Sequence, residues 1–349
     1  MSASANALSS EATTTSGPSV WARLWANPLS GPVVGLLAVL GLFILLIGIK
    51  GELHNFLSTR NLQVLLHEAA IPGVVALGML IIIISGGIDL SVGSVVALVS
   101  VVTMQVYRHL YLDTGSMMAA SLAAVPMGVV VGGLCGLANG LIITQLRLPP
   151  FVATLGMLGI ARGLAVWLSG RTLVTFPQGA RPGWVDALNR IHAEYTLFDP
   201  GIWIWLLLAG VIAVMLHFTV LGRYCYAIGS NEATVRLCGV AVEKNKVILY
   251  TIAGLLTGWA GVLLFAHGTS GDPSGGEGLE LRVIAAVVIG GASLKGGQGT
   301  VTGALLGVLI LGILANGVSI FNVPVEVQHI LIGVIIIANT ALSQWRRRE

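Results

Sequence analysis

Charge is what this sequence has least of. Asp, Glu, Lys and Arg together make up 9% of its 349 residues, where soluble domains carry roughly a quarter, so a water-facing surface could not be clothed. Cysteine is scarce too: Cys135, Cys225 and Cys238 are odd in number and form no CxxC pair, which excludes a disulfide framework and a zinc ribbon and leaves them as small apolar fillers. No G-x-x-x-x-G-K-[ST] phosphate loop is present, and no H-E-x-x-H or G-x-S-x-G. His67, His217 and His267 lie on separate segments with no carboxylate cluster beside them in sequence. The chain is therefore expected to have no catalytic residues, no cofactor and no metal, and any ATP chemistry belongs to a partner. Lys plus Arg number 18 against 15 acids without forming a patch, so nucleic-acid binding is not supported. The first thirty residues hold no apolar run before a small-residue cleavage site, and no cleaved signal peptide is expected.

What the sequence has in abundance is apolar length. Hydrophobic residues are 55% of the chain, gathered into blocks of about 17 to 25, the length that crosses roughly 30 Å of hydrocarbon as a helix. The blocks are 31–49, 69–85, 90–106, 117–146, 151–169, 201–218, 247–267, 282–294, 300–320 and 326–342. All are read as helices, because open strands cannot satisfy their backbone in lipid. The fold class is thus all-α: a polytopic integral membrane protein of about ten transmembrane helices, some broken by glycine. The block at 282–294 is short for a crossing, and 117–146 is long enough to tilt or project. Residues 1–30 are expected to be a cytoplasmic tail in which Trp21, Arg23 and Trp25 sit at the membrane interface, 31–342 the transmembrane domain, and 343–349 a basic cytoplasmic end. With the N-terminus inside, Arg23, Arg147, Arg223, Arg236, Lys244, Lys246, Lys295 and Arg346 to Arg348 are cytoplasmic. Lys50, Arg60, Arg108, Arg171, Arg181, Arg190 and Arg282 lie on the other side. Both termini are then cytoplasmic and 170–200 is external.

Several polar or glycine-rich features interrupt this apolar background. Gly128, Gly132, Gly136 and Gly140 recur every fourth residue, as do Gly299, Gly303 and Gly307, leaving a groove for a second helix backbone. Ile84-Ser85-Gly86-Gly87-Ile88-Asp89-Leu90-Ser91-Val92-Gly93 and Ile289-Gly290-Gly291-Ala292-Ser293-Leu294-Lys295-Gly296-Gly297 resemble each other, and paired glycine interruptions can mark broken helices along a transport route. Asp89 is a carboxylate inside an apolar stretch, either facing a polar cavity or capping the helix that follows. Asn139 and Asn316 can face the same path or bond between helices, and Arg162 needs a partner inside its span. Residues 221–240 form a polar stretch in which Ser230 or Asn231 can cap a short helix running from Glu232 to Gly239.

Taken together these motifs resemble the membrane permeases of ribose-type, monosaccharide-carrying ABC importers. The resemblance rests on Gly86-Gly87-Ile88-Asp89-Leu90-Ser91-Val92-Gly93, on Asn139-Gly140 followed by Pro150-Phe151-Val152-Ala153-Thr154-Leu155-Gly156-Met157 and Ala161-Arg162-Gly163, on Gly229-Ser230-Asn231-Glu232-Ala233 with Gly239, and on Ile289-Gly290-Gly291 through Gly303. It covers the chain from about 60 to 340. It implies an inner-membrane permease that pairs with a second copy or close homologue within membrane lipid. A cytoplasmic ABC ATPase subunit would dock on it, and a periplasmic sugar-binding protein would deliver a monosaccharide to it. Asp89, Asn139 and Asn316 are then candidates for the translocation path, and Gly229, Asn231, Glu232, Arg236 and Gly239 for coupling to the ATPase. The alternatives are an ABC permease for another small solute, such as a branched-chain amino acid, and an ion-coupled secondary transporter using Asp89.

Overall fold

The computed structural model describes residues 29–189, 198–321 and the single positions 327, 330, 333 and 334. The expected interfacial anchor at Trp21, Arg23 and Trp25, Arg190, most of the crossing at 326–342 and the basic end at 343–349 lie outside the described residues. Helices dominate: α1 (Ser30–Lys50), α2 (Leu53–Phe56), α3 (Thr59–Ile84), α4 (Val92–Thr114), α5 (Met117–Gln145), α6 (Pro150–Leu168), α7 (Gly183–Asn189), α8 (Pro200–Phe218), α9 (Val220–Leu237), α10 (Val242–Gly268), α11 (Leu279–Ile289) and α12 (Val301–Ile320). Two two-residue strands, β1 (Val174–Thr175) and β2 (Ser270–Gly271), pair antiparallel with Val174 opposite Gly271.

Eight of these helices, α1, α3, α4, α5, α6, α8, α10 and α12, are long and apolar enough to cross a membrane. Local chemistry sets their ends. Ser58 accepts from the Asn61 amide at the start of α3 (3.2 Å), and Asp199 accepts from Gly201 (2.6 Å) and Ile202 (3.2 Å) at the start of α8, where Pro200 takes a position whose missing N–H costs nothing. Gly51 and Gly115 end α1 and α4 in the left-handed conformation that only glycine adopts without strain. The 29 residues of α5 make a rod of about 44 Å, longer than the hydrocarbon layer.

Burial orders the bundle from the inside out. In α3, 83% of the apolar window is buried, against 17% in α1, so α3 is the axis and α1 lies on the rim. A helix with no polar face is the expected occupant of such a position. Packed on α3 is α10, whose other face meets α4 and α5.

The block expected to cross at 282–294 takes a different form. Its helix, α11, starts three residues earlier, ends at Ile289 and has 11 residues, about 16 Å of rise and half a crossing. Before it, residues 272–278 run non-helically from β2 back into the bundle, turning at Gly276 (φ 70°) and Gly278 (φ 72°). Backbone free of a helix is tolerable at such a position only where protein satisfies it. Arg162 does so, its Nη1 donating to the carbonyls of Pro273 (2.6 Å) and Gly275 (3.1 Å), while Ser100 Oγ accepts from the Asp272 amide (3.2 Å). The partner that Arg162 was expected to need is thus a pair of carbonyl oxygens.

Candidate functional site

Asp89 lies in the non-helical segment between α3 and α4, buried, with Oδ1 accepting from both the amide (2.8 Å) and the hydroxyl (2.6 Å) of Ser91. The carboxylate therefore stands just ahead of the helix it was expected to cap, because α4 begins at Val92 with Ser91 as its own flanking residue. Asn139 of α5 donates to the Ser91 hydroxyl (3.1 Å). Asp89, Ser91 and Asn139 thus form one hydrogen-bonded chain across α4 and α5. Beside it stands Tyr250 of α10, whose hydroxyl occupies the space a Cβ would need at Gly87. The Tyr250 hydroxyl and the Asn139 carbonyl oxygen are buried without a hydrogen-bond partner among the described residues. Such unmatched groups are costly unless something visits them, and they give this centre spare capacity for a polar solute or water.

Asn316 is not part of it. Its amide exchanges reciprocal hydrogen bonds with Asn61 of α3 (2.9 and 3.0 Å) at the opposite end of that helix. This is interhelical bonding, one of the two uses expected for Asn316, and it sets this side chain apart from Asp89 and Asn139.

Beside the Asp89 centre a cleft of about 610 Å³ opens between α4, α6 and residues 272–280, with Ser94, Arg162, Arg171, Asp272, Glu277 and Glu280 on its walls. Its volume is in the range of small-molecule sites, and both charge signs and hydroxyls face it. Sequence reasoning passed over Asp272, Glu277 and Glu280. The available signal was the run Asp272-Pro273-Ser274-Gly275-Gly276-Glu277-Gly278, too polar and too rich in turn residues for the apolar block it interrupts.

At the other end of the bundle, α9 is bent at Asn231 (φ −160°, ψ 93°). Asn231 Oδ1 accepts from the Thr234 amide (3.0 Å), so the second half of α9 is capped there, and Gly239 (φ 81°) carries the chain out. Before the bend, α9 is stitched to the core. Tyr226 donates to the Gly299 carbonyl (2.8 Å), the Cys225 thiol to the Ile81 carbonyl (3.4 Å), and the Gly297 amide to the Ile84 carbonyl (2.8 Å). Gly229 sits at the centre of this clasp, where a Cβ would collide with the Ile84 carbonyl and lie 2.6 Å from the Gly297 amide. The two similar glycine segments noted in the sequence, around 84–93 and 289–297, thus meet each other at α9.

Beyond the bend, Glu232 pairs with Arg236 (3.0 Å) and with Lys246 (2.6 Å), and Arg236 also pairs with Glu243. Burial alone would raise the Glu232 carboxyl, but the Lys246 and Arg236 cations outweigh it and hold it below its ordinary value. Glu232 loses this stabilisation only as pH falls through its depressed pKa, so the carboxylate stays charged at neutral pH. A groove of about 560 Å³ runs between this network and the turn that carries Arg147.

The glycine face of α5 lies on α10. A Cβ at Gly132 would stand 2.5 Å from the Gly254 carbonyl and the Gly258 Cα, one at Gly136 2.8 Å from the Gly254 Cα, and one at Gly140 2.8 Å from the Val247 Cα. Gly128 faces Thr103 of α4 in the same way.

Asp89 gives a first expected outcome. Asp89→Asn keeps the oxygen that Ser91 needs and should retain transport. Asp89→Ala leaves two buried donors unmatched, at about 1–3 kcal/mol each, and should lower uptake more than about tenfold. Uptake normalised to the amount of protein in the membrane is the measure. If Asn is as inactive as Ala at normal abundance, the ionised charge is what matters.

Residues 61–340 match the family model described as the branched-chain amino acid transport system / permease component. The chain is similar to the ribose import permease protein of Bacillus subtilis, at 38% identity over 309 residues, 87% of this chain and 91% of that protein. It is similar to the ribose import permease protein of Escherichia coli strain K12, at 35% over 86% of this chain and 90% of that one. With the fructose import permease protein of Rhizobium meliloti it shares 31% over 93% of this chain and 88% of that protein. No solved structure matches the chain.

Proposed function

Given that this chain belongs to the monosaccharide import permeases of ABC systems, we propose that it carries a monosaccharide through the Asp89–Asn139 centre while α9 receives the push of a cytoplasmic ATPase. It is a multi-pass inner-membrane subunit and does not itself hydrolyse ATP. The reading is supported above all by relatives named for ribose and fructose import that align over 86–93% of the chain. A branched-chain amino acid, the solute in the family model's description, and an ion-coupled mechanism have no such support.

The rest of the reading extends this proposal to the partners. A periplasmic sugar-binding protein delivers the sugar to the cleft beside Arg162, Arg171 and Glu277, whose hydroxyls and charges suit a polyhydroxylated solute. A second permease copy or close homologue completes the path. The half of α9 beyond Asn231 seats in the ATPase, with Gly229, Asn231, Glu232, Arg236 and Gly239 shaping it. Coupling requires a contiguous contact with two arrangements. The clasp of Gly229 with Ile84 and Gly297 supplies the contiguous contact, since Ile84 leads within five residues to Asp89.

Orientation is the part most readily tested. Arg147, Arg236 and Lys246 share one groove at the α9 end, and Lys295 lies in the turn clasped to it. That end is read as cytoplasmic, and both termini with it. In intact cells and with Cys238 replaced by Ser, a cysteine at the exposed Asn189 should be blocked by a membrane-impermeant thiol reagent and one at Lys244 should not. The reverse pattern would invert the topology.

A further inference from the structure

The sequence keeps His67 and His267 two hundred residues apart, on separate segments. The structure stacks their rings at 3.8 Å between centroids, with Asp199 beside them. His67 lies in the third turn of α3, Asp199 is the cap of α8, and His267 is in the last turn of α10. Three separate elements thus bring one ligand-type side chain each to a single point, at the end of the bundle opposite α9.

We propose that His67, Asp199 and His267 form a binding site for a divalent transition-metal cation of the zinc type, which fastens the ends of α3, α8 and α10 together. One nitrogen from each ring and one carboxylate oxygen lie within 4.8 Å of one another. Bonds of about 2.0–2.2 Å to a tetrahedral ion need separations of roughly 3.4 Å with the ion in the plane of each ring, so the site closes when the His267 ring turns out of its stack on His67. The donor set suits the metal: two imidazoles and one carboxylate are the ligands of open, three-coordinate zinc sites.

A hydrogen bond between His67 Nδ1 and Asp199 Oδ2 (2.9 Å) explains two of the three groups without a metal. It leaves the third unexplained. His267 Nε2 is enclosed and has no hydrogen-bond partner among the described residues, and it faces the side of Asp199 where Gly201 leaves room. A Cβ there would stand 2.8 Å from Asp199 Oδ1 and 3.4 Å from His267 Nε2. The Asp199 carboxylate is also prepared as a ligand. Oδ1 is held by the amides of Gly201 and Ile202, which fixes the plane of the group and keeps Oδ2 on the side of the two rings, where an ion would replace its bond to His67, the role of outer-shell bonds in metal sites.

The test uses the full chain, purified without a polyhistidine tag, stripped with chelator and held in lipid nanodiscs, and titrated with Co²⁺. The expected result is about one ion per chain, with visible ligand-field bands of four- or five-coordinate N/O ligation and no thiolate charge-transfer band. His67→Gln and His267→Gln should each weaken binding by more than about tenfold, while His217→Gln, on α8 and outside the cluster, should not. Zn²⁺ should displace Co²⁺ and raise the melting temperature of the wild type but not of the two variants. Absence of a saturable Co²⁺ spectrum in the wild type overturns the proposal, and so does wild-type binding in both variants. A thiolate band would place the ion on Cys238, the exposed cysteine, and overturn it equally. Because the wild-type titration stands alone, a variant that does not fold leaves the outcome readable.

Discussion

Gly136→Leu and Gly132→Leu should abolish assembly of the permease, while Val130→Leu on the same helix should leave it intact. At Gly132 and Gly136 the atoms that an added side chain meets are backbone atoms of Gly254, Gly258 and Tyr250. A clash with a side chain can be relieved by a rotamer change. A clash with a helix backbone moves the helix. Overpacking in proteins costs typically about 1–3 kcal/mol, and with four glycines on α5 facing α10 and α4 along one continuous stretch from Gly128 to Gly140, the cost here should reach or exceed the top of that range. Val130 is 49% exposed and can gain a methylene freely. Because α10 carries Tyr250 and α5 carries Asn139, parting them would also open the Asp89 centre. Abundance in membranes and thermal stability in detergent are the measures. Gly136→Leu as abundant and stable as Val130→Leu would refute the close α5–α10 packing.

The second large effect is expected at α9. Exchanging the charges of the Glu232–Arg236 pair, as Glu232→Arg with Arg236→Glu, would preserve an isolated pair. Here it sets a guanidinium at position 232 against Lys246 and a carboxylate at position 236 against Glu243, since each residue has a further partner. The capped half of the helix should splay, with the spanning helices unaffected. Gly239→Val attacks the same unit from its end, forcing a β-branched residue to a φ of 81°, which such residues avoid. Both variants should insert normally yet lose co-purification of the ATPase by more than about tenfold. Wild-type recovery of the ATPase with both would make residues 232–239 a solvated connector.

Much of this was legible in the sequence, and the reasons are local ones. Apolar blocks mark helices because hydrocarbon thickness fixes their length, and the 117–146 block has its helix at Met117–Gln145. The spacing of four from Gly128 to Gly140 marks one face because a helix repeats near that period. Asn231 capping the segment from Glu232 to Leu237 follows from the chemistry of a side-chain oxygen three residues before an unpaired amide. What was not legible depends on partners distant in sequence. That Asn316 bonds Asn61, that Glu232 also pairs with Lys246, and that His67 stacks on His267 are facts of tertiary position. The shortness of α11 was hidden for another reason. Hydropathy registers apolar residues whether they face lipid or protein, so it could not show that residues 272–278 reach the bundle interior without a helix, held by Arg162.

The central claim is that this chain passes a monosaccharide under the power of a partner's ATP. Proteoliposomes containing the permease with its cognate ATPase, and the cognate binding protein charged with labelled ribose or fructose on the receptor side, test it directly. The account predicts sugar accumulation that requires ATP on the α9 side and is lost with the Glu232→Arg, Arg236→Glu permease, while the membrane content of permease is unchanged. Accumulation without ATP or ATPase, driven by an imposed ion gradient, would contradict it.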